Sequence, residues 1–250
     1  MILEVTVELS HPLATVTPTL DGDVLAVLAL DEATFTTGQL HRILLRHSEE
    51  GIRKVLRRLT EQGIVLSERV GNTYNYRFNR EHLAAEHISA LARLQETFLR
   101  RLQERLRSWE VPPVYAAVFG SAARGAMTPD SDLDLLLVRP DDALEEIWGT
   151  QVEDLASDVT RWLGNDVRPL QFSAAEIVTW AGEEPVLRDV LDEGLTVAGT
   201  RAWLNRQLSE DLLRSLGRAC SGREPQRGDR PVEEGGKQHV QAPEPVAQSE

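Results

Sequence analysis

The stretch Phe119-Gly-Ser-Ala-Ala-Arg-Gly-Ala-Met-Thr-Pro-Asp-Ser-Asp-Leu-Asp-Leu-Leu-Leu-Val138, FGSAARGAMTPDSDLDLLLV, decides how the second half of this chain is read. It ends as a buried strand would, in leucines closed by Val138, yet that run carries Asp132 and Asp134. Side chains alternate faces along a strand. The two aspartates therefore point the same way, about 7 Å apart along the backbone, while Leu133 and Leu135 point into the core. Two carboxylates on one face repel, and a divalent cation relieves that repulsion. Magnesium suits the role because it takes oxygen ligands and keeps waters and substrate phosphates in its shell. Upstream, Gly120 permits close backbone approach, and exposed N–H groups with the Ser121 hydroxyl suit phosphate oxygens. Arg124 adds a cation for a polyphosphate. Together these parts point to metal-assisted transfer from a nucleoside triphosphate, with Asp132 and Asp134 as the catalytic metal ligands.

Working outward, Val114–Phe119 reads as an apolar strand and Val167–Phe172 as another, with helical sequence from Asp141 to Leu163 interrupted near Gly149. Asp141-Asp142 reads as a helix cap. Ser173-Ala-Ala-Glu176 is a capping box opening a further helix. Glu183–Glu193 is helical, Gly194–Ala198 is a short strand or a loop, and Arg201–Arg218 is a last helix. From Ser221 onward the sequence is rich in Pro, Gly, Gln, Glu and Arg with almost no large apolar residue, the composition of a disordered tail.

The first half reads differently. Leu3–Leu9 alternates like a short strand. Thr19–Leu30 carries an apolar helical stripe; Thr36 or Thr37 caps a second helix with Leu40, Ile43 and Leu44 inward; Ser48 caps a third, closed by Gly63. IVLSERV, a Gly71-Asn72 turn and TYNYRFN then alternate as a hairpin. Three helices and a hairpin is the order of a winged helix. In the third helix Ile52, Val55, Leu56 and Leu59 share one face, leaving Arg53, Lys54, Arg57 and Arg58 on the others. With Arg69 and Asn72 near the hairpin tip, these are the candidate contacts to duplex DNA. Glu49 and Glu50 suit the dipole at the helix start but would repel a phosphate there.

Glu81–Trp109 reads as one long linker helix with Leu91, Leu94, Phe98, Leu102 and Leu106 in a stripe. The stripe packs against a neighbouring domain, or it forms the seam of a homodimer that would offer two winged helices to a palindromic site. Val111-Pro112-Pro113 ends that helix. The expected organisation is thus α+β: a winged helix-turn-helix over 1–80, a linker helix over 81–110, an α/β domain with a small mixed sheet over 111–200, a C-terminal helix over 201–220 and a tail over 221–250.

Charge supports two units with different partners. The formal net charge is -13 over 250 residues, yet the segment from His41 to Arg80 is basic, and from Ser131 to Thr200 four arginines face a large excess of acids. The single cysteine, Cys220, excludes an internal disulfide, and no segment reads as a signal peptide or a membrane span. A cytoplasmic location fits. The six histidines show no metal-ligand grouping; His82 and His87 read as surface residues and the five tryptophans as packing anchors.

GSAARG, a spacer and SDLDLLLV resemble the signature of the DNA polymerase β-like nucleotidyltransferase superfamily, most closely its minimal branch of small bacterial and archaeal members. The resemblance covers Val114–Val138 tightly and extends loosely to Gly199. It implies that Gly120 and Ser121 open the nucleotide-binding turn, that Arg124 and Ser131 belong to the same nucleotide site, and that Asp132 and Asp134 bind Mg2+. It implies AMP transfer from ATP, or from another nucleoside triphosphate, to a protein or small-molecule hydroxyl; toxin-neutralising members modify a protein. The whole chain also resembles bacterial regulators in which a winged helix precedes such a domain.

One departure matters. Active members of that superfamily carry a third acid on the following strand, where this chain has Val167-Arg-Pro-Leu-Gln-Phe172. Arg168 or Gln171 stands in its place; Asp166 precedes the strand and Glu176 follows it. A cation beside the metal weakens metal binding, and a lost general base costs roughly 10²–10⁴-fold in rate. Two functions stay open: a Mg-dependent nucleotidyltransferase that also binds DNA, or a transcriptional regulator whose degenerate domain senses nucleotide. A third, weaker reading makes the N-terminal unit a protein-docking module.

Overall fold

The computed structural model describes Leu9 and residues 11–128, 130–180 and 184–209. The strand expected over Leu3–Leu9 (all but Leu9), the end of the last helix and the expected disordered tail lie outside the described residues.

After a 3₁₀ turn at Pro12–Thr15, α1 (Leu20–Leu30) packs on α3 (Glu49–Glu61) with α2 (Thr37–Ile43) between them in sequence. Local chemistry sets the starts. The Thr36 hydroxyl accepts from the Gln39 N–H while the Gln39 side chain accepts from the Thr36 N–H, a complete capping box. The Ser48 hydroxyl accepts from Gly51 N–H in the same way. Strand β1 (Phe35–Thr36) joins the hairpin of β2 (Val65–Val70) and β3 (Thr73–Phe78) in the order β1-β3-β2. The face of α3 read as apolar, Ile52, Val55, Leu56 and Leu59, is buried with Val24, Leu28, Leu40 and Phe78. Helix α2 stops at Ile43, earlier than its sequence suggests, and Ile43 is 51% exposed rather than inward.

The expected long linker helix is two helices. The chain breaks at Arg93 (φ -97°, ψ 22°) between α4 (Ala85–Ala92) and α5 (Leu94–Arg107). The reason is packing: Ala85, Ile88, Leu91 and Ala92 join the N-terminal core, whereas Phe98, Leu102 and Leu106 join a separate C-terminal one. Phe98, Leu102 and Leu106 of the apolar stripe are therefore buried inside one chain, as the packing alternative expects.

The C-terminal core is built on strands β4 (Tyr115–Phe119), β5 (Leu133–Arg139), β6 (Val167–Ser173) and β7 (Leu195–Ala198), ordered β6-β5-β4-β7. Helix α6 (Gly120–Ala123) is a single turn leading out of β4. Only β5 and β6 are parallel, linked by α7 (Glu145–Leu163), which runs through Gly149 without interruption and ends at Gly164 (φ 79°). Leu133, Leu135 and Leu137 are buried on the face covered by α5 and α7. Leu136 and Val138 are buried on the opposite face with α8 (Ala174–Trp180), α9 (Pro185–Glu193) and residues 201–209, which are helical. Helices on both faces explain the unbroken leucine run: neither side of β5 meets water along most of its length.

Two further details differ from the sequence reading. Asp141 caps no helix of its own; its Oδ1 accepts from Ala175 N–H and so caps α8 from 34 residues away. Helix α7 begins after Leu144 without a side-chain cap. The tryptophans do pack: Trp109 and Trp148 meet edge to face with centroids 5.3 Å apart, and Trp203 stacks on Tyr115. Trp180, 42% exposed, does so least.

Candidate active site

The aspartates lie where β5 begins, on the face shared with Leu136 and Val138. Antiparallel pairing sets Asp134 opposite Phe119, the last residue of β4, so the Gly120 turn abuts Asp134. Gly120 has φ 68°, and a Cβ there would fall 2.2 Å from Asp134 Oδ2. Glycine is needed twice over, for the left-handed backbone and for the contact. The bend and the acidic pair, 14 residues apart in sequence from Gly120 to Asp134, form one locus. Burial, then the negative charge of Asp132, push the Asp134 carboxyl above its ordinary value; Arg168 and Arg124 partly offset this.

The loop between bend and strand is well anchored. Ala126 N–H donates to the Ser121 carbonyl, and Met127 is buried in the core. The Ser131 hydroxyl accepts from Thr128 N–H at 3.0 Å and meets the Thr128 hydroxyl at 2.9 Å. Asn165, itself 2% exposed, donates to the Ser131 carbonyl. Ser131 thus holds the loop in shape next to the carboxylates. Arg124, at the end of α6, pairs with Glu193 Oε2 at 3.4 Å. Sequence reading missed Glu193, because 69 residues separate the partners and only the fold joins them.

The strand that lacks the expected acid gives a decisive arrangement. Parallel register places Arg168 beside Asp134, and its Nη2 lies 2.7 Å from Asp132 Oδ2. Of the two residues expected in the acid's place, Arg168 is at the site. Gln171 is on the other face, where its Oε1 accepts from Trp148 Nε1. Neither substitute acid completes a triad. Glu176 is at the far end of β6, accepting from Ser173 N–H at 2.6 Å, and that bond keeps its carboxyl below the usual range. Asp166 contributes its backbone carbonyl to Leu133 N–H. Among the described residues no three His, Cys, Asp or Glu side chains group to hold a metal. Two carboxylates suit a magnesium ion that shares its shell with substrate phosphates; they do not make a cage that would hold one from protein ligands alone.

Residues 97–186 match the family model for a nucleotidyltransferase domain. The match begins in α5, ends in α9 and spans strands β4, β5 and β6, so this segment carries the pattern of a nucleotidyltransferase domain, with α5 packed into its core. No curated protein matches the sequence. Solved structures that resemble part of this chain are remote. One, a toxin–antitoxin crystallised with AMP-PNP, is 17% identical with a TM-score of 0.35, covering 49% of this chain and 90% of its own. Another, a MntA–HepT toxin–antitoxin, is 16% identical with a TM-score of 0.32, covering 51% and 92%. A third, from Shewanella oneidensis, is a tri-AMPylated HEPN toxin in complex with an MNT antitoxin, 16% identical with a TM-score of 0.34, covering 51% and 91%.

The residues read as DNA contacts lie elsewhere. Arg53, Lys54, Arg57 and Asn72 line a groove of ≈ 790 Å³ between α3 and the β2–β3 hairpin, with Tyr74 and Tyr76 on its other wall. Glu49, Glu50 and Glu61 line it too. Arg53 pairs with Glu50 at 2.7 Å and with Glu49 at 3.0 Å, and Arg57 lies 3.9 Å from Glu61. Arg58 turns away to Asp21 on α1. Arg69 Nε donates to the Gly71 carbonyl and braces the hairpin turn. The structure therefore brings together four of the six, of which Arg53 and Arg57 are paired with neighbouring acids, and commits Arg58 and Arg69 to intramolecular bonds. Among the described residues no helix is long and apolar enough to cross a membrane.

Proposed function

We propose that residues 111–200 transfer a nucleoside monophosphate, AMP from ATP, to the hydroxyl of a protein or a small molecule, with Asp132 and Asp134 sharing Mg2+ with the triphosphate. The observation that carries this reading is the closeness of Gly120 to Asp134: a positive-φ bend with no room for a Cβ, set against a half-buried carboxylate beside a second one. Bound there, the metal would neutralise phosphate charge. The chain's own residues do the rest. The bend offers N–H groups to phosphate oxygens, Arg124 supplies a cation on the open side, and Ser131 keeps the loop in register. Gly120, Ser121, Arg124 and Ser131 are the proposed nucleotide-binding set. Incubating the full chain with labelled ATP, Mg2+ and candidate acceptors should transfer label, and Asp132→Asn with Asp134→Asn should abolish both transfer and Mg-dependent nucleotide binding. Unchanged nucleotide binding in that variant would refute the site.

A second reading has its own observation. The Arg168–Asp132 pair stands where a catalytic acid would be expected, which favours a domain that binds nucleotide without turnover, within a transcriptional regulator. In either reading the N-terminal unit is proposed as a winged helix that meets duplex DNA through Arg53, Lys54, Arg57 and Asn72 in their common groove. Binding by the full chain should weaken steeply as salt rises, because condensed counterions are released.

A further inference from the structure

The Asp132–Asp134 pair is flanked by two guanidinium groups. Arg168 Nη2 is 2.7 Å from Asp132, and Arg124 lies on the other side with Glu193 as its partner at 3.4 Å. Both arginines act on the Asp134 carboxyl. With Glu193 counted, three carboxylates answer two guanidiniums, and Arg168 is the cation that pairs directly with the acidic pair. A divalent cation arriving alone meets both positive groups. A triphosphate arriving alone meets both carboxylates. The chelate suits the acidic pair and its arginines together, with metal on Asp132 and Asp134 and phosphate oxygens on the guanidiniums.

Arg168 is built to make that exchange. Its side chain is 72% exposed, on the outer strand of the sheet, and Asp132 is its one side-chain partner among the described residues. A partly exposed ion pair is weak and easily traded, and phosphate offers the guanidinium a bidentate, doubly charged alternative. Resting on the nucleotidyl-transfer reading above, we infer that Arg168 is an internal counter-cation for the acidic pair: it blocks divalent metal from the nucleotide-free protein and moves to the polyphosphate when the metal–nucleotide chelate arrives. Metal and nucleotide then bind with strong mutual dependence, and the chain selects a ligand with enough negative charge to draw Arg168 away, a nucleoside triphosphate over a monophosphate.

The test measures Mn2+ binding to the full chain, by the electron paramagnetic resonance signal of free Mn2+, with and without a non-hydrolysable ATP analogue. The native chain should bind Mn2+ weakly alone and far more tightly with the analogue. Arg168→Ala should tighten binding of Mn2+ alone on the order of tenfold, the scale expected from removing one charge a few Å from a dication in a partly wet site. The factor by which the analogue strengthens Mn2+ binding should fall correspondingly. Arg168→Gln, which keeps the bulk, should behave as the alanine variant does. Equal affinity for Mn2+ alone in all three proteins, with the chelate still bound, overturns this inference and leaves the nucleotidyl-transfer reading standing. Absence of Mn2+ binding in every arm, nucleotide included, overturns both.

Discussion

Gly120→Ala separates the geometry of the site from the stability of the fold. The substitution has two costs. At φ 68° an alanine sits in the left-handed region, which costs about 1–2 kcal/mol. Its Cβ also lands 2.2 Å from Asp134 Oδ2, with the carboxyl carbon at 3.2 Å. That clash is with the end of a rotatable side chain, so Asp134 swings aside and the backbone stays. Gly125→Ala is the matched control, because Gly125 has φ 65° and nothing within 4 Å of its would-be Cβ. Both variants should lose about 1–2 kcal/mol, a fall in Tm of roughly 2–8 °C for a chain of this size. Only Gly120→Ala should also lose Mg-dependent ATP affinity, by on the order of tenfold or more, because the carboxylate proposed to hold the metal is displaced. Calorimetric melts and titrations with Mg2+ and a non-hydrolysable ATP analogue supply both numbers. Equal nucleotide affinity in the two variants would refute the claim that the bend positions Asp134.

Two further predictions concern the core and the site. Leu102→Ala empties a fully buried position in the C-terminal core and should cost about 2–5 kcal/mol; the native Tm should not change with protein concentration, whereas a concentration-dependent Tm would favour the dimer seam. Asp134→Asn should stabilise the protein at neutral pH. The folded-state pKa of Asp134 is raised above its ordinary 3.8, so the folded protein binds the extra proton, and stability is lost as pH rises through the folded value. The Asn variant's gain should therefore shrink to nothing below the ordinary value, and a gain that is independent of pH in denaturant titrations would count against the reading.

The elements visible in the sequence were those that local chemistry fixes. Ser48, Thr36 and the Ser173–Glu176 box each announce a helix start through hydrogen bonds within three residues, and the four apolar positions of α3 announce its buried face. What failed was what depends on partners distant in sequence. A uniform stripe from Leu91 to Leu106 looks like one helix, because periodicity cannot reveal that its two ends belong to different cores. Gly149 looked like a break, yet a single glycine costs only about 1 kcal/mol in a helix, and α7 buries Trp148, Val152, Leu155, Val159 and Leu163 along its length. Asp141 looked like a local cap and instead serves a helix that the chain reaches only after β6.

The candidate site shows the same division more sharply. Alternation along β5 was enough to pair Asp132 with Asp134, and a glycine beside a strand end was enough to suggest a close approach. The arginines of α3 were equally conspicuous, but sequence counts charges and cannot say which of them are already answered: Arg58 reaches across to Asp21, and Arg53 turns back on Glu49 and Glu50. At β6 the ambiguity ran the other way. Arg168 and Gln171 were both eligible for the missing acid's place, three residues apart, and a strand sends such residues to opposite faces. The register of β6 on β5 resolves it, since Arg168 aligns with Asp134 and shares its face. The substitution of a cation for an acid therefore falls inside the acidic pair's own field, within hydrogen-bonding distance of Asp132. The local charge of the site, rather than its carboxylates alone, must then decide what it binds.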